Sequence, residues 1–519
     1  MVLLPTFLLL LGAAIAWYSR NRPTRIGWII EVSTALLVWL VSLILITAIP
    51  SVTQVSVWRP QSLFQSQLEL KLDSISWPFI YASSTLLLTV VLTYPARYKA
   101  RPRRRAFLLL YAVFPMMSML SGNILTFAIT WTLMDVASVI VMIDMRTREE
   151  LIPLLTSRLA IKGGSLLLVL LAAMVNVSSG GDSSLSTSFH SSTAILLISF
   201  AAMLRLGFFQ SRSGMVQNPA KREGIDILQQ LLPAAAALTL FARVFSLGMP
   251  EDVLPWLKLV GGLALLVGGV QWVFDQDESR IQQAFKMAIS GLGVFVASTT
   301  AGNASVIAAA GAIMILLGAV FYSIEIFSPA HRIWPVMCAI VVAGFPGTPG
   351  GLVLTSMFEQ IDSLPGILKL VVGITGMVLL SLGTLRYFYL PSVQWQTAES
   401  SVRFMYGLGL SFPVFVSIGL GLWMAKGFSL VALAGFLAIG GVAVLLLLVI
   451  RRLPHREVDR WGRLLAWIDL NPVMRFFEFG GRVILGAARA TSQIFEGEGA
   501  MLWLVVILLL TFLGVRGIG

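Results

Sequence analysis

Apolar residues come along this chain in long runs. Segments long enough to span a bilayer as helices recur at about 2–17, 27–49, 74–94, 106–121, 122–143, 159–176, 193–210, 227–247, 253–274, 283–299, 304–326, 334–358, 366–390, 405–425, 429–450 and 500–516. About twenty apolar residues per segment suffice to cross the hydrocarbon core. The pattern predicts an all-α polytopic membrane protein of about sixteen transmembrane helices. Two stretches depart from it. In "SVTQVSVWRPQSLFQSQLELKL" (51–72) apolar and polar positions alternate around Arg59-Pro60, which predicts a short external hairpin. Residues 453–498 interleave aromatic and aliphatic residues with Arg460, Arg463, Arg475 and Arg482. That is the pattern of helices lying along the cytoplasmic membrane face or against a partner.

The loops predict an orientation. With the N-terminus outside, every second loop faces the cytoplasm. Those loops hold Arg20, Arg22 and Arg25, then Arg97, Lys99, Arg101 and Arg103 to Arg105, then Arg146, Arg148 and Arg158, then Arg212, Lys221 and Arg222, and finally Arg451, Arg452 and Arg456. The loops between them, such as "SSGGDSSLSTSFHSS" and "TAGNAS", lack Lys and Arg. This is the asymmetry expected of a protein of the cell (inner) membrane. Arg59, Lys71 and Lys426 are exceptions.

Composition confirms the solvent. The chain has 519 residues, 57% of them hydrophobic and 12% charged, with a mean hydropathy of +0.87. A water-soluble fold cannot hide that much apolar surface. The net charge of +12 reflects the basic loops and does not call for nucleic acid. The run Val2 to Trp17 has no basic residue before it and no clear cleavage site after it, so it reads as a spanning helix and not as a signal peptide. The one cysteine, Cys338, excludes an internal disulfide and a thiolate metal cluster. His190, His331 and His455 are too dispersed for a metal site. The tryptophans read mostly as membrane-interface anchors.

Two helical segments are interrupted by polar or Gly/Pro residues: "LRLGFFQSRSGMVQNP" (204–219) and "AGFPGTPGGLVLTS" (343–356), the latter at Pro346, Gly347, Pro349 and Gly350. They occupy the fourth element of two successive five-helix blocks, 106–247 and 253–390. Paired discontinuous helices in matching positions point to inverted repeats. The expected organisation is residues 1–105 as N-terminal helices and hairpin, the two blocks, and 405–519 as C-terminal helices with the amphipathic segment.

Charged residues inside apolar runs are the candidate chemistry, because burying them in lipid is costly. "ITWTLMDVAS" (129–138) carries Thr132 and Asp135. Lys162 stands in "LAIKGGS", Arg205 in the first interrupted helix, and Arg280 and Lys286 around the start of the segment at 283–299. Glu31 and Glu325 lie toward helix ends, where interface placement is expected.

These landmarks together resemble the antiporter-like membrane subunits of respiratory complex I (NADH:quinone oxidoreductase), shared with Mrp-type cation/proton antiporters and membrane-bound hydrogenases. "LDSISWPFIYASS" (72–84) is similar to the family segment after the external hairpin, and "FAITWTLMDVAS" (127–138) to the fifth helix, which typically reads W-E-L-M. "SFAAMLRLGFFQSRSGMVQNPAKREG" (199–224) resembles the broken seventh helix, and "FDQDESRIQQAFKMAISGLGVF" (274–295) the approach to the tenth. "VAGFPGTPGG" (342–351) resembles the G-x-P-P-x-x-G break, with Gly347 in place of the second proline, and "FEGEGAMLWLVVILLL" is also similar to this group. The similarity covers about 70–450 in order and spacing.

The resemblance implies a midplane chain of lysines and carboxylates along which protons or monovalent cations move, driven by partner subunits. Here that chain is thinned. The fifth-helix glutamate falls at Thr132, which carries no charge, and the seventh-helix lysine falls at Arg205, which keeps its proton. Leu354 and Thr355 stand after the second break where a lysine or glutamate is expected. Asp135 either takes over the carboxylate role or pairs with Arg205 or Lys162 to fix packing; Lys162 either joins the path or snorkels to the headgroups. No P-loop, dinucleotide fingerprint, haem or iron–sulfur spacing is present. The chain therefore carries no cofactor of its own and is at most a non-redox subunit of a larger membrane complex. The readings are a proton-translocating membrane subunit, a non-pumping structural subunit of the same kind of complex, and a stand-alone secondary transporter.

Overall fold

Apolar runs become helices because a chain in lipid must satisfy every backbone N–H and C=O internally. The computed structural model describes residues 2–55, 67–96, 102–145, 148–182, 184–185, 189, 191–208, 224–275, 277–300, 303–359, 364–392, 394, 399–424 and 429–452. Among them are sixteen α-helices. In chain order they are α1 (Leu4–Tyr18), α2 (Thr24–Ile44), α3 (Ser76–Thr93), α4 (Pro102–Met119), α5 (Ile124–Met145), α6 (Arg148–Ser178), α7 (Ser192–Leu206) and α8 (Gly224–Ser246). Then follow α9 (Leu254–Phe274), α10 (Glu278–Thr299), α11 (Ala304–Ser323), α12 (Ile333–Val342), α13 (Pro349–Phe358), α14 (Leu364–Arg386), α15 (Ser400–Met424) and α16 (Leu430–Arg452). Ten described helices are long and apolar enough to cross a membrane. This is an all-α, multi-pass membrane protein.

The hairpin forms as the alternation predicts. Strands β1 (Ser51–Val55) and β2 (Leu68–Leu72) pair antiparallel, from Ser51 opposite Leu72 to Val55 opposite Leu68. Arg59-Pro60 lies outside the described residues. The run at 334–358, expected from sequence to be interrupted at Pro346 to Gly350, is two ten-residue helices, α12 and α13, separated at 343–348. The expected break at 210–214, the amphipathic segment 453–498 and the last apolar run 500–516 all lie outside the described residues.

At the centre of the bundle, α3 is buried along its whole length and α11 from Val306 to Ser323. α11 packs against α3, α8, α10 and α15. Lipid offers apolar side chains as good a home as a protein core does, so close backbone approach has to hold helices together. The α9–α10 contact shows this. A Cβ on Gly291 would fall 2.5 Å from the backbone nitrogen of Leu265, so only glycine permits the pairing. Within 106–247, the first and last helices (α4 and α8) pack on each other, as do the first and last (α9 and α14) within 253–390.

Contacts between loops tie them together on two faces. On one, the hairpin joins the α4–α5 turn through Lys71 N–H donating to Leu120 O, and that turn joins the α6–α7 connection through Leu185 N–H donating to Gly122 O. On the other, Ile326 bridges Ser392, and Arg386 donates to the carbonyls of Val273 and Asp275.

Candidate functional site: a buried ion cluster and its polar line

Asp135 sits mid-way along α5, and its carboxylate turns toward α6 and α7. Arg205, in the last turn of α7, meets it as a fork: Nη1 donates to Oδ1 at 2.7 Å and Nη2 to Oδ2 at 2.6 Å. The guanidinium donates through Nε to Ser165 Oγ at 2.7 Å. It also lies over the indole of Trp131, with Cζ 4.2 Å from the ring centroid. α7 ends just beyond, at Gly207, whose φ of +85° caps the helix in the left-handed conformation. A cation in a last helical turn also complements the helix dipole. The second cation is Lys162 on α6. Its ammonium lies 3.5 Å from Asp135 Oδ1 and donates to Ser138 Oγ at 2.8 Å. The side chains are deep: Arg205 is 2% exposed, Asp135 13% and Lys162 16%.

Thus one carboxylate serves two cations, and the structure brings Asp135, Lys162 and Arg205 together. Thr132 is not with them. It lies on the exposed face of α5, and its hydroxyl donates to Ala128 O of its own helix at 2.8 Å. Trp131 is fully buried beneath Arg205, and Trp77 and Trp272 are buried as well. This corrects the reading of the tryptophans as mainly interface anchors for these three.

From the cluster a thin polar line crosses α8. Gln229 Nε2 donates to Ser138 O at 3.4 Å, and the neighbouring Gln230 accepts at its carbonyl from Lys286 Nζ at 3.5 Å. Lys286 is buried on α10, one turn after Gln282. Gln282 is 1% exposed, and its amide group has no hydrogen-bond partner among the described residues. Arg280 is elsewhere, half-buried at the start of α10 and 3.5 Å from Asp277. At the second break, Gly344 and Gly347 have φ of +91° and +82°, Pro346 lies in the loop, and Pro349 and Gly350 open α13. Thr348 caps that helix by accepting from Gly351 N–H. Leu354 is buried and Thr355 donates to Leu352 O within α13. The charged line therefore reaches Lys286 and is not continued by a charged side chain at this break.

Two further ion pairs escaped the sequence reading. Just before α3, Asp73 Oδ1 accepts from Ser76 N–H at 2.8 Å, and its Oδ2 accepts from the buried Arg243 of α8 at 2.9 Å. Glu31, expected at an interface, is buried on α2 with Arg105 Nε 3.9 Å away. Arg105 itself, expected in a cytoplasmic loop, belongs to α4 and is buried. The signal available for both pairs was a charged residue next to a helix start.

No family model and no curated protein matches the sequence. Solved structures do. A chain of the Mrp complex from Dietzia sp. DQ12-45-1b superposes with a TM-score of 0.69 at 16% identity over 100% of this chain. This chain spans 63% of the length of that one. A chain of the membrane-bound sulfane sulfur reductase, an archaeal respiratory membrane complex, gives 0.63 at 16% identity, covering 99% of both chains. A chain of respiratory complex I from Thermus thermophilus gives 0.60 at 14% identity, over 85% of this chain and 100% of that one. The fold is shared with all three. The resemblance read from local motifs thus extends to the architecture.

Proposed function

We propose that the chain is an antiporter-like membrane subunit of a complex I-like or Mrp-type assembly, set in the cell membrane with its N-terminus outside, and that protons or monovalent cations pass through it. The observation that carries this reading is the Asp135–Lys162–Arg205 cluster, on the helices where the resemblance places a carboxylate and a lysine, continued by Gln229 and Gln230 toward Lys286. Within it the roles divide. Arg205 holds Asp135 in place through its two-pronged contact. Lys162 is the cation able to lose its proton, and its ammonium is shared between Asp135 and Ser138. Gain or loss of that proton changes one arm of the cluster while the fork persists. Blocks 106–247 and 253–390 are read as inverted repeats, a reading supported by the packing of first on last helix in each. Residues 453–498 are read as the segment that docks other subunits or lipid headgroups on the cytoplasmic side.

One observation favours a second reading, a non-pumping subunit. The fork on Asp135, the bond to Ser165 and the stack on Trp131 together form a rigid clamp. Asp135→Asn separates the two. It keeps the volume and removes the charge that faces two cations; breaking a buried pair in this way costs about 3–5 kcal/mol. Under the transport reading, the assembled complex forms and proton uptake per electron in membrane vesicles is abolished. Under the structural reading, complex yield falls and the assembled fraction pumps normally. Normal yield with normal uptake defeats both.

A further inference from the structure

Glu31 is a carboxylate inside the bundle for which the transport cluster has no use. Its side chain is 5% exposed. Among the described residues its one ion-pair contact is with Arg105 Nε at 3.9 Å, beyond hydrogen-bond reach. A buried carboxylate normally accepts several hydrogen bonds, because leaving its lone pairs unmet is costly. The place where those bonds would go is open. Glu31 lines a cavity with Val91, Tyr94, Arg104, Arg105 and the first residues of α8. The space open to the centre of a water-sized sphere is about 20 Å³, above the roughly 10–15 Å³ that one ordered water needs.

The lining selects the ligand. Arg104 and Arg105 oppose a metal cation there, and Glu31 opposes a phosphate or other anion. Water and an exchangeable proton meet neither objection. Among the described residues, the polar groups lining the cavity with Glu31 are Tyr94 after α3 and the two arginines of α4, and the start of α8 brings Gly224 and Ile225. α1, which also packs on α2, has no charged residue along Leu4–Tyr18. Gly27 leaves room for Arg105, whose Nη1 occupies the place where a Cβ would stand. The arginine is thus fixed beside the carboxylate.

We infer that Glu31 and this cavity form a protonation site on the basic face, in which the carboxyl exchanges its proton with a water held beside Tyr94 and Arg105. In the exchange the O–H bond of the carboxyl breaks, and the proton forms a new O–H bond with the cavity water, which passes it to solvent. Arg105 compensates the carboxylate left behind. The inference does not rest on ion transport through the Asp135 cluster, since a chain that pumps nothing still exchanges this proton.

The test is infrared difference spectroscopy on the full chain in lipid vesicles, stepping the pH and then exchanging H2O for D2O. The unmodified chain is expected to give a carboxylic C=O band that titrates and shifts within the mixing time in D2O. Labelling glutamate with 13C at the carboxyl should displace the band, assigning it without any substitution. Glu31→Gln should remove it, and Glu31→Asp should restore a band that no longer responds to the glutamate label. A spectrum unchanged in Glu31→Gln overturns the inference. So does a band that shifts in D2O only over hours, because the carboxyl is then dry, or a band in the unmodified chain that ignores the glutamate label.

Discussion

Arg205 spends its guanidinium in three directions: a two-pronged contact with Asp135, a third bond to Ser165 and a face laid on Trp131. An ammonium of the same charge can make at most part of this, since it has no planar fork and no flat face. Arg205→Lys should therefore destabilise the chain by about 2–4 kcal/mol, combining a lost charge-assisted bond with a lost desolvated cation–π contact. Chemical unfolding in detergent measures it, and a change below about 0.5 kcal/mol would mean that charge alone matters at this position. That Asp135 needed a basic partner could be read from the sequence, because a carboxylate in an apolar run has few other options. That Arg205 and Lys162 both serve it could not, nor that Trp131 lies beneath, because those contacts depend on how α5, α6 and α7 rotate against one another. Glu31 shows the same limit. Its partner is far along the chain, and the stretch around Arg105 reads as one more basic loop until α4 is seen to begin at Pro102.

At the scale of elements, the break between α12 and α13 was legible, since Gly and Pro interrupt an apolar run for stated backbone reasons. Its exact shape came from packing. Gly347 is left-handed, while Gly350 lies so close to the Val341 carbonyl that a Cβ would collide with it. Gly421 of α15 likewise rests on the backbone of Gly347 and Thr348. The two glycines should thus differ on substitution. Gly347→Ala carries a left-handed residue, costing about 1–2 kcal/mol, and its Cβ would meet only the side chain of Leu422. Gly350→Ala drives a Cβ into backbone that cannot step aside, and should cost more. Thr348→Ala removes the cap, at about 1 kcal/mol. Melting temperatures of the three variants should fall in the order Thr348→Ala and Gly347→Ala, then Gly350→Ala lowest. A Gly350→Ala protein as stable as the parent would show that the break is looser than its packing indicates.

For the whole molecule, the apolar runs that become helices could be located from sequence because lipid demands an apolar run of fixed length whatever the tertiary contacts. Orientation rests on the arginines alone, while the fold shows which loops lie together: the hairpin, the α4–α5 turn and the α6–α7 connection share one face, and the residues around Asp275, Ile326 and Ser392 share the other. The chain is suited to a direct test, because its single cysteine, Cys338, is fully buried and gives little background to a thiol reagent. Gln54 and Asp252 are exposed at the face opposite the basic loops, and Arg22 and Ser401 at the basic face. Single cysteines at these four positions should divide cleanly. In intact cells freed of their outer envelope, a membrane-impermeant maleimide should label the cysteines at 54 and 252 and spare those at 22 and 401 until the membrane is opened. The reverse division would keep the fold and turn the molecule over, putting the Glu31 cavity and residues 453–498 outside. Labelling of all four before opening would break the alternation of loops itself, and with it the orientation on which the transport reading is built.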